Sequence, residues 1–291
     1  MRDPVQIGVI GGSGLYSMPE ISHVETIEID TPFGTPSSPI IIGRLRGRRV
    51  AFLARHGIGH VFTPSTVPYR ANIYALKQLG VRKLVAVNAC GSLREDYAPG
   101  EVVIPDQLLD YTKDDRGRSF FGPGLVAHVS AASPFCTRLN AQAASAVRAA
   151  GGTAHEGGVY VTIEGPRFST RGESEIFRKL GCSIIGMTTC PEAFLAREAE
   201  MCYTSLSHVT DYDVWHTSAG SVTVEMVMQI MHHNLTLAQQ ALAGLIETLD
   251  AAEDCDCQHA LDNAVMTSRS AMDADTLERL RPIVGRLFPR P

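Results

Sequence analysis

The sequence has no uninterrupted apolar stretch of the ~18 residues that a membrane-spanning helix needs, so no span is expected. It has no block of lysine and arginine, and a formal charge of −5 gives no electrostatic reason to expect nucleic acid or an anionic membrane as a partner. Ten histidines show no HExxH-like spacing, and His232 and His233, adjacent on a helix, face apart, so no metal site is expected from them. Cysteine is sparse and scattered: seven residues, an odd number, do not resemble a secreted disulfide scaffold. Met1-Arg2-Asp3-Pro4 runs straight into a strand without a signal peptide, and the expectation is a soluble, cytoplasmic protein.

What is present is enough apolar residue, 44% of 291, to bury one large α/β core. Apolar runs alternate with helical patterns, the mark of a mixed, largely parallel twisted sheet with helices on both faces. Strands are expected at Val5–Ile10, Val24–Ile29, Ile40–Leu45, Val50–Ala54, Leu84–Val87, Val102–Ile104, Gly158–Ile163, Ser183–Ile185 and Met201–Val209. Helices are expected near Tyr69–Leu79, Arg138–Ala149, Arg171–Leu180, Pro191–Glu200 and Val222–Leu249. Asp106–Phe121 reads as a long polar loop. Composition shifts after Asp250, dividing a main domain of residues 1–250 from an acidic, cysteine-bearing extension of residues 251–291 with an amphipathic helix over Ala274–Leu287.

In open parallel sheets ligands sit beyond the carboxyl ends of strands. The residues found there are Gly11-Gly12-Ser13-Gly14, Arg55-His56-Gly57 and Asn88-Ala89-Cys90-Gly91-Ser92: glycine amides, a hydroxyl and a fixed cation that suit an oxyanion such as phosphate. His56, next to that cradle, reads as an added donor. A dinucleotide fingerprint fails, because position 17 is Ser where the third glycine belongs and Pro19 interrupts any following helix. Phe168 and Ser169 pair an aromatic face with a hydroxyl, and Met187-Thr188 opens a helix. In Thr210-Asp211-Tyr212-Asp213, two carboxylates point the same way if the chain stays extended. One, kept protonated by its neighbour's charge, can donate to a purine nitrogen while the other accepts from an exocyclic amine. Against this stands the commoner role of such acids as turn or capping residues.

Gly11-Gly12-Ser13-Gly14-Leu15, Thr31-Pro32-Phe33-Gly34, Ala54-Arg55-His56-Gly57, Ala89-Cys90-Gly91-Ser92-Leu93, Glu164-Gly165-Pro166-Arg167-Phe168-Ser169, Met187-Thr188 and Asp211-Tyr212-Asp213, in that order, resemble the trimeric purine nucleoside phosphorylase family, in its methylthioadenosine phosphorylase branch, over about Ile7–Leu249. The resemblance implies a nucleoside phosphorylase fold. Ser13, Arg55, His56, the Ala89 backbone and Thr188 would hold phosphate, Met187 would flank the ribose, and Phe168, Ser169, Asp211 and Asp213 would meet the base. Val222, Val224 and Met228 would line an apolar 5′ pocket, completed by His128 of a neighbouring subunit in a homotrimer or a dimer of trimers. Asn88 and Cys190 depart from the residues expected at their positions.

The implied activity is phosphorolysis of S-methyl-5′-thioadenosine, with Asp211 as proton donor, inorganic phosphate as co-substrate and no metal or organic cofactor. Asp at 213 favours a 6-aminopurine over a 6-oxopurine, since a carboxylate accepts from an amine but repels a carbonyl. The alternatives are a broader purine nucleoside phosphorylase acting on adenosine, inosine or guanosine, and a non-catalytic nucleoside-binding or redox-sensing module. Cys255-Asp256-Cys257 is a strained i, i+2 bridge, two free thiols or half of a metal site. It resembles a motif of thermophilic members of the family whose cysteine bridges are structural, which would leave Cys136 and Cys202 as a second pair.

Overall fold

The computed structural model describes residues 5–16, 18–216 and 223–289. Its centre is an 11-stranded sheet. The strands are β1 (Ile7–Gly11), β2 (Ser22–Ile27), β3 (Ile40–Leu45), β4 (Arg48–Ala54), β5 (Lys83–Ser92), β6 (Val102–Ile104), β7 (Gln107–Tyr111), β8 (Ala154–Glu156), β9 (Val159–Ile163), β10 (Cys182–Gly186) and β11 (Cys202–Asp211). The main path runs β2-β3-β4-β1-β5-β10-β9-β7, with β11 branching from β5, β6 from β11 and β8 from β6. Among the described residues six strand pairings are parallel and four antiparallel. Ile-Gly-Val-Ile-Gly of β1 is buried throughout, as a strand covered on both faces must be, whereas β2 lies at an edge and is mostly exposed.

Helices α1 (Tyr69–Gln78), α2 (Thr137–Ala149), α3 (Arg171–Lys179), α4 (Thr189–Glu198) and α5 (Val224–Thr248) cover the sheet. Local chemistry sets their ends. Gly80, at φ +99°, turns the chain out of α1. Thr170 and Glu173 form a reciprocal capping box at the start of α3.

The sheet divides at β5, and the division positions the site. β1 pairs with β5 only as far as Ala86, and β10 joins the same side at Gly91 and Ser92. Between them, Val87–Cys90 has no strand on that side, while β11 continues along the other edge from Cys202 to Asp211. This gap is a topological switch point, where strand ends diverge and leave a crevice.

Two expectations are corrected. The presumed loop 106–121 contains β7, a polar edge strand pairing with β9, which lacks the alternation that would reveal it. The terminal helix is two short ones, α6 (Ala274–Arg279) and α7 (Arg281–Val284), because Leu280 leaves helical geometry and Pro282 starts a new first turn. The extension is not peripheral: Leu261, Leu280, Ile283 and Val284 are buried in one apolar cluster with Ile73, Leu76 and Tyr203.

Candidate functional site

The crevice is a cavity of about 560 Å³. Its lining comes from the carboxyl end of each central strand: Gly11 and Gly12 after β1, Arg55 and His56 after β4, Asn88–Gly91 in β5, Phe168 and Ser169 after β9, Met187 and Thr188 after β10, and Asp211 and Asp213 at β11. Met228, Asn234, Leu235 and Ala238 of α5 form the remaining side. Most residues singled out in the sequence therefore converge in one place. Val222 lies outside the described residues, as do the side chains of Ser13 and Val224. His128 is exposed and away from the cleft, its backbone N–H donating to the Ala264 carbonyl at 2.8 Å. Met228 stands 63% exposed, at the mouth rather than in the helix core.

Arg55 is 3% exposed and mostly engaged. Its Nε and Nη2 donate to the two carboxylate oxygens of Glu192 at 2.7 and 2.8 Å, and further N–H groups reach the carbonyls of Val87 and Ile10. Glu192, fully buried, also accepts from the Tyr203 hydroxyl at 2.8 Å. Burial opposes the charge on Arg55, but Glu192's attraction and hydrogen bonds raise its pKa above the usual value. With the fork facing Glu192, one N–H of Nη1 remains for an anion, so Arg55 acts mainly as a fixed positive wall.

The expectation that His56 is a ready donor needs revision. Its Nδ1 donates to the Phe62 carbonyl at 2.9 Å, so the neutral ring leaves Nε2 as an acceptor. Burial and the charge of Arg55 push its pKa down to about 4. An anion beside it would raise that value and favour a proton on Nε2, making it a donor.

The acidic pair is arranged differently from an extended strand. β11 ends at Asp211, and Asp213 adopts φ +49°, folding back so that its N–H donates to Asp211 Oδ1 at 2.8 Å. Thr210 donates its hydroxyl to Asp211 Oδ2 at 2.7 Å. Burial raises the pKa of Asp211 against these two bonds. It raises that of Asp213 too, there aided by the charge of Asp211 and opposed in part by the hydroxyls of Ser174 and Ser169, which lie near it without hydrogen-bond geometry. Burial, rather than a neighbouring charge, is thus what favours protonation of Asp211. Burial biases both carboxyl groups toward protonation, and their closeness disfavours a second negative charge, so the pair can share one proton. Asp213 Oδ2 and Ser169 Oγ are buried without a protein partner. Gly91 makes room for this pair: a Cβ there would sit 2.9 Å from Asp211 Oδ1.

Sequence reading missed Glu192, His208 and Asn234, and marked Asn88 only as a departure from the residue expected there. Glu192 gave no signal, since an acid in a helix's first turn is ordinary and its partner is 137 residues away. His208 is 1% exposed in β11 with both ring nitrogens unpartnered, and burial lowers its pKa to about 4. Asn234 and Asn88 each keep one buried amide atom, Nδ2 and Oδ1, unpaired at the cleft. Asn88 is held by bonds from Nδ2 to Ser205 (2.8 Å) and Thr189 (3.3 Å). Five residues with unpartnered buried polar atoms line one cavity, as a site whose ligand or water supplies their partners requires.

The disulfide expectation is also corrected. Cys136, Cys202, Cys255 and Cys257 are all free, and their sulfurs gather into one cluster instead of two bonded pairs.

Against known proteins, a profile of the phosphorylase superfamily matches residues 6–247. An S-methyl-5′-thioadenosine phosphorylase of Chloroflexus aurantiacus is 52% identical over 97% of this chain and 98% of its own. A methylthioadenosine phosphorylase crystal structure from an Antarctic soil metagenomic library superposes with a TM-score of 0.92 at 45% identity, covering 97% of this chain and 99% of that one. One from Schistosoma mansoni, in complex with adenine, superposes with a TM-score of 0.81 at 38% identity, covering 86% and 93%. The fold, the strand-end cleft and these likenesses together establish that the chain belongs to the phosphorylase superfamily, in its S-methyl-5′-thioadenosine phosphorylase family, and is a phosphate-dependent nucleoside phosphorylase.

Proposed function

We propose that the chain converts S-methyl-5′-thioadenosine and phosphate to adenine and 5-methylthioribose 1-phosphate. The observation that carries this is the buried Asp211–Asp213 pair, whose Asp213 Oδ2 lacks a partner at the end of β11, in the same cleft as the glycine, Arg55 and Thr188 strand ends. Cleaving an N-glycosidic bond builds positive charge on the sugar and negative charge on the base. An anion held at the glycine end, by backbone amides, Thr188 and the Arg55 field, stabilises the first and attacks C1′. A carboxyl group kept protonated by burial hands its proton to the purine, while its ionised partner accepts from the 6-amino group. Phe168 and Ser169 would hold the base, Met187 the ribose, and inorganic phosphate is the only other reactant needed.

The apolar end formed by Met228, Leu235 and Ala238 suits a methylthio group. Asn234 Nδ2, unpaired nearby, supports a second reading in which 5′-hydroxyl nucleosides are also accepted. The test is phosphate-dependent adenine release from methylthioadenosine, with adenosine and inosine in parallel. A kcat/KM at least ten times higher for methylthioadenosine supports the first reading, and parity supports the second. Tight nucleoside binding without release would mark a non-catalytic module. A homotrimer in which His128 reaches a neighbour's cleft belongs to the same proposal, and light scattering of the purified protein checks it.

A further inference from the structure

The four clustered cysteines lie away from the cleft and take no part in phosphorolysis. Cys136 caps the N-terminus of α2, Cys202 begins β11, and Cys255 and Cys257 belong to the C-terminal extension. All four sulfurs lie within 4.8 Å of one another, and Cys136 Sγ is 3.7 Å from Cys255 Sγ. A disulfide needs ~2.05 Å and gives no reason for a second pair to abut the first. Four thiolates around one ion at a metal–sulfur distance of ~2.3 Å form a tetrahedron with edges of ~3.8 Å. A polynuclear iron–sulfur cluster would hold its cysteines farther apart than one ion does.

We propose that Cys136, Cys202, Cys255 and Cys257 form a closed tetrathiolate site for a single structural zinc ion. The surroundings suit thiolates. The Leu139 N–H, in the first turn of α2, points at Cys136 Sγ at 3.5 Å, and Gln258 Nε2 points at Cys202 Sγ at 3.8 Å. Such outer N–H donors orient and stabilise metal-bound sulfur, and a helix N-terminus favours its negative charge. Three of the four cysteines are buried, and no fourth position is open to water, as in structural rather than catalytic sites. The ligand-bearing segments are anchored independently: Cys202 N–H donates to the Arg82 carbonyl at 2.8 Å and Cys136 N–H to the Tyr203 carbonyl at 2.9 Å. Arg138 and Lys83 pair with Glu253, two residues before Cys255, at 2.7 and 3.3 Å. Binding releases the thiol protons to solvent and ties the extension to the start of the strand that ends in Asp211.

The test uses the full chain, purified under reducing conditions without added chelator. Elemental analysis is expected to find about one zinc per chain, and the metal-free protein is expected to take up Co²⁺ with the visible absorption of a tetrahedral thiolate complex. After denaturation with chelator and no reductant, all seven cysteines should titrate as thiols. Cys257→Ser should lose the metal and melt at lower temperature. Should that variant fail to fold, the wild-type metal content and cobalt spectrum still decide. A protein that carries no zinc, refuses cobalt and yields only three titratable thiols holds two disulfides, and the proposal is then wrong.

Discussion

Replacing Glu192 with glutamine should cost the fold about 3 kcal/mol or more, because it strands the buried guanidinium of Arg55 without its counter-charge. Both partners are almost wholly enclosed, at 3% and 0% exposure, and are joined by two bonds of 2.7 and 2.8 Å. Removing one member of such a pair typically costs about 3–5 kcal/mol, and glutamine, which can still accept one bond from Arg55, places the loss at the lower end. For a chain of 291 residues that is a fall in Tm of roughly 5 °C. The assay is calorimetric melting with and without phosphate. In the wild type, phosphate at about 100 times its Kd adds about 2.7 kcal/mol. In Glu192→Gln the added stability should be larger, since the freed fork can grip the anion on two N–H groups. A Tm within two degrees of wild type would mean the pair is not what holds Arg55. Equal phosphate increments in both proteins would mean Arg55 does not face the anion.

Three further outcomes are expected. Asp213→Asn should lower kcat for methylthioadenosine about 100-fold or more, since an amide N–H faces the 6-amino group where the carboxylate accepted from it, and should move preference toward 6-oxopurine nucleosides; unchanged selectivity in a competition assay would sink the reading of the base pocket. The folded chain keeps His208 neutral down to about pH 4, while the unfolded chain takes up a proton near 6.5, so stability should rise with pH across that window by about 3 kcal/mol on this group's account. His208→Leu should flatten that slope in denaturant titrations and raise the nucleoside KM about tenfold if the ring serves the ligand; a flat slope with unchanged KM leaves it a passive occupant. Gly91→Ala should push Asp211 by a few tenths of an ångström and cut kcat with little loss of Tm, which activity and melting measurements on one sample would separate.

The positions of β1, β3, β4, β5 and β11 were legible because buried strands leave apolar runs ending in glycine or charge. β7 and β8 left none, being short or polar and stabilised by pairing that the chain makes only after collapse. The cleft residues were legible as a set because each stands just past a strand. Their partners were not: the Arg55–Glu192 pair and the convergence of Cys136 and Cys202 on Cys255 and Cys257 join segments more than 100 residues apart in at least one link each. The acidic pair shows the limit from the other side. Its two carboxylates were found at once, but the left-handed turn at Asp213, which brings its N–H onto Asp211 Oδ1, leaves no mark in the spacing.

The interrupted neighbour of β5 limits how the cleft can change. Main-chain atoms framed by ladders on either flank cannot be relocated by replacing side chains, so single substitutions can reshape this cleft chiefly through α5 and the rim.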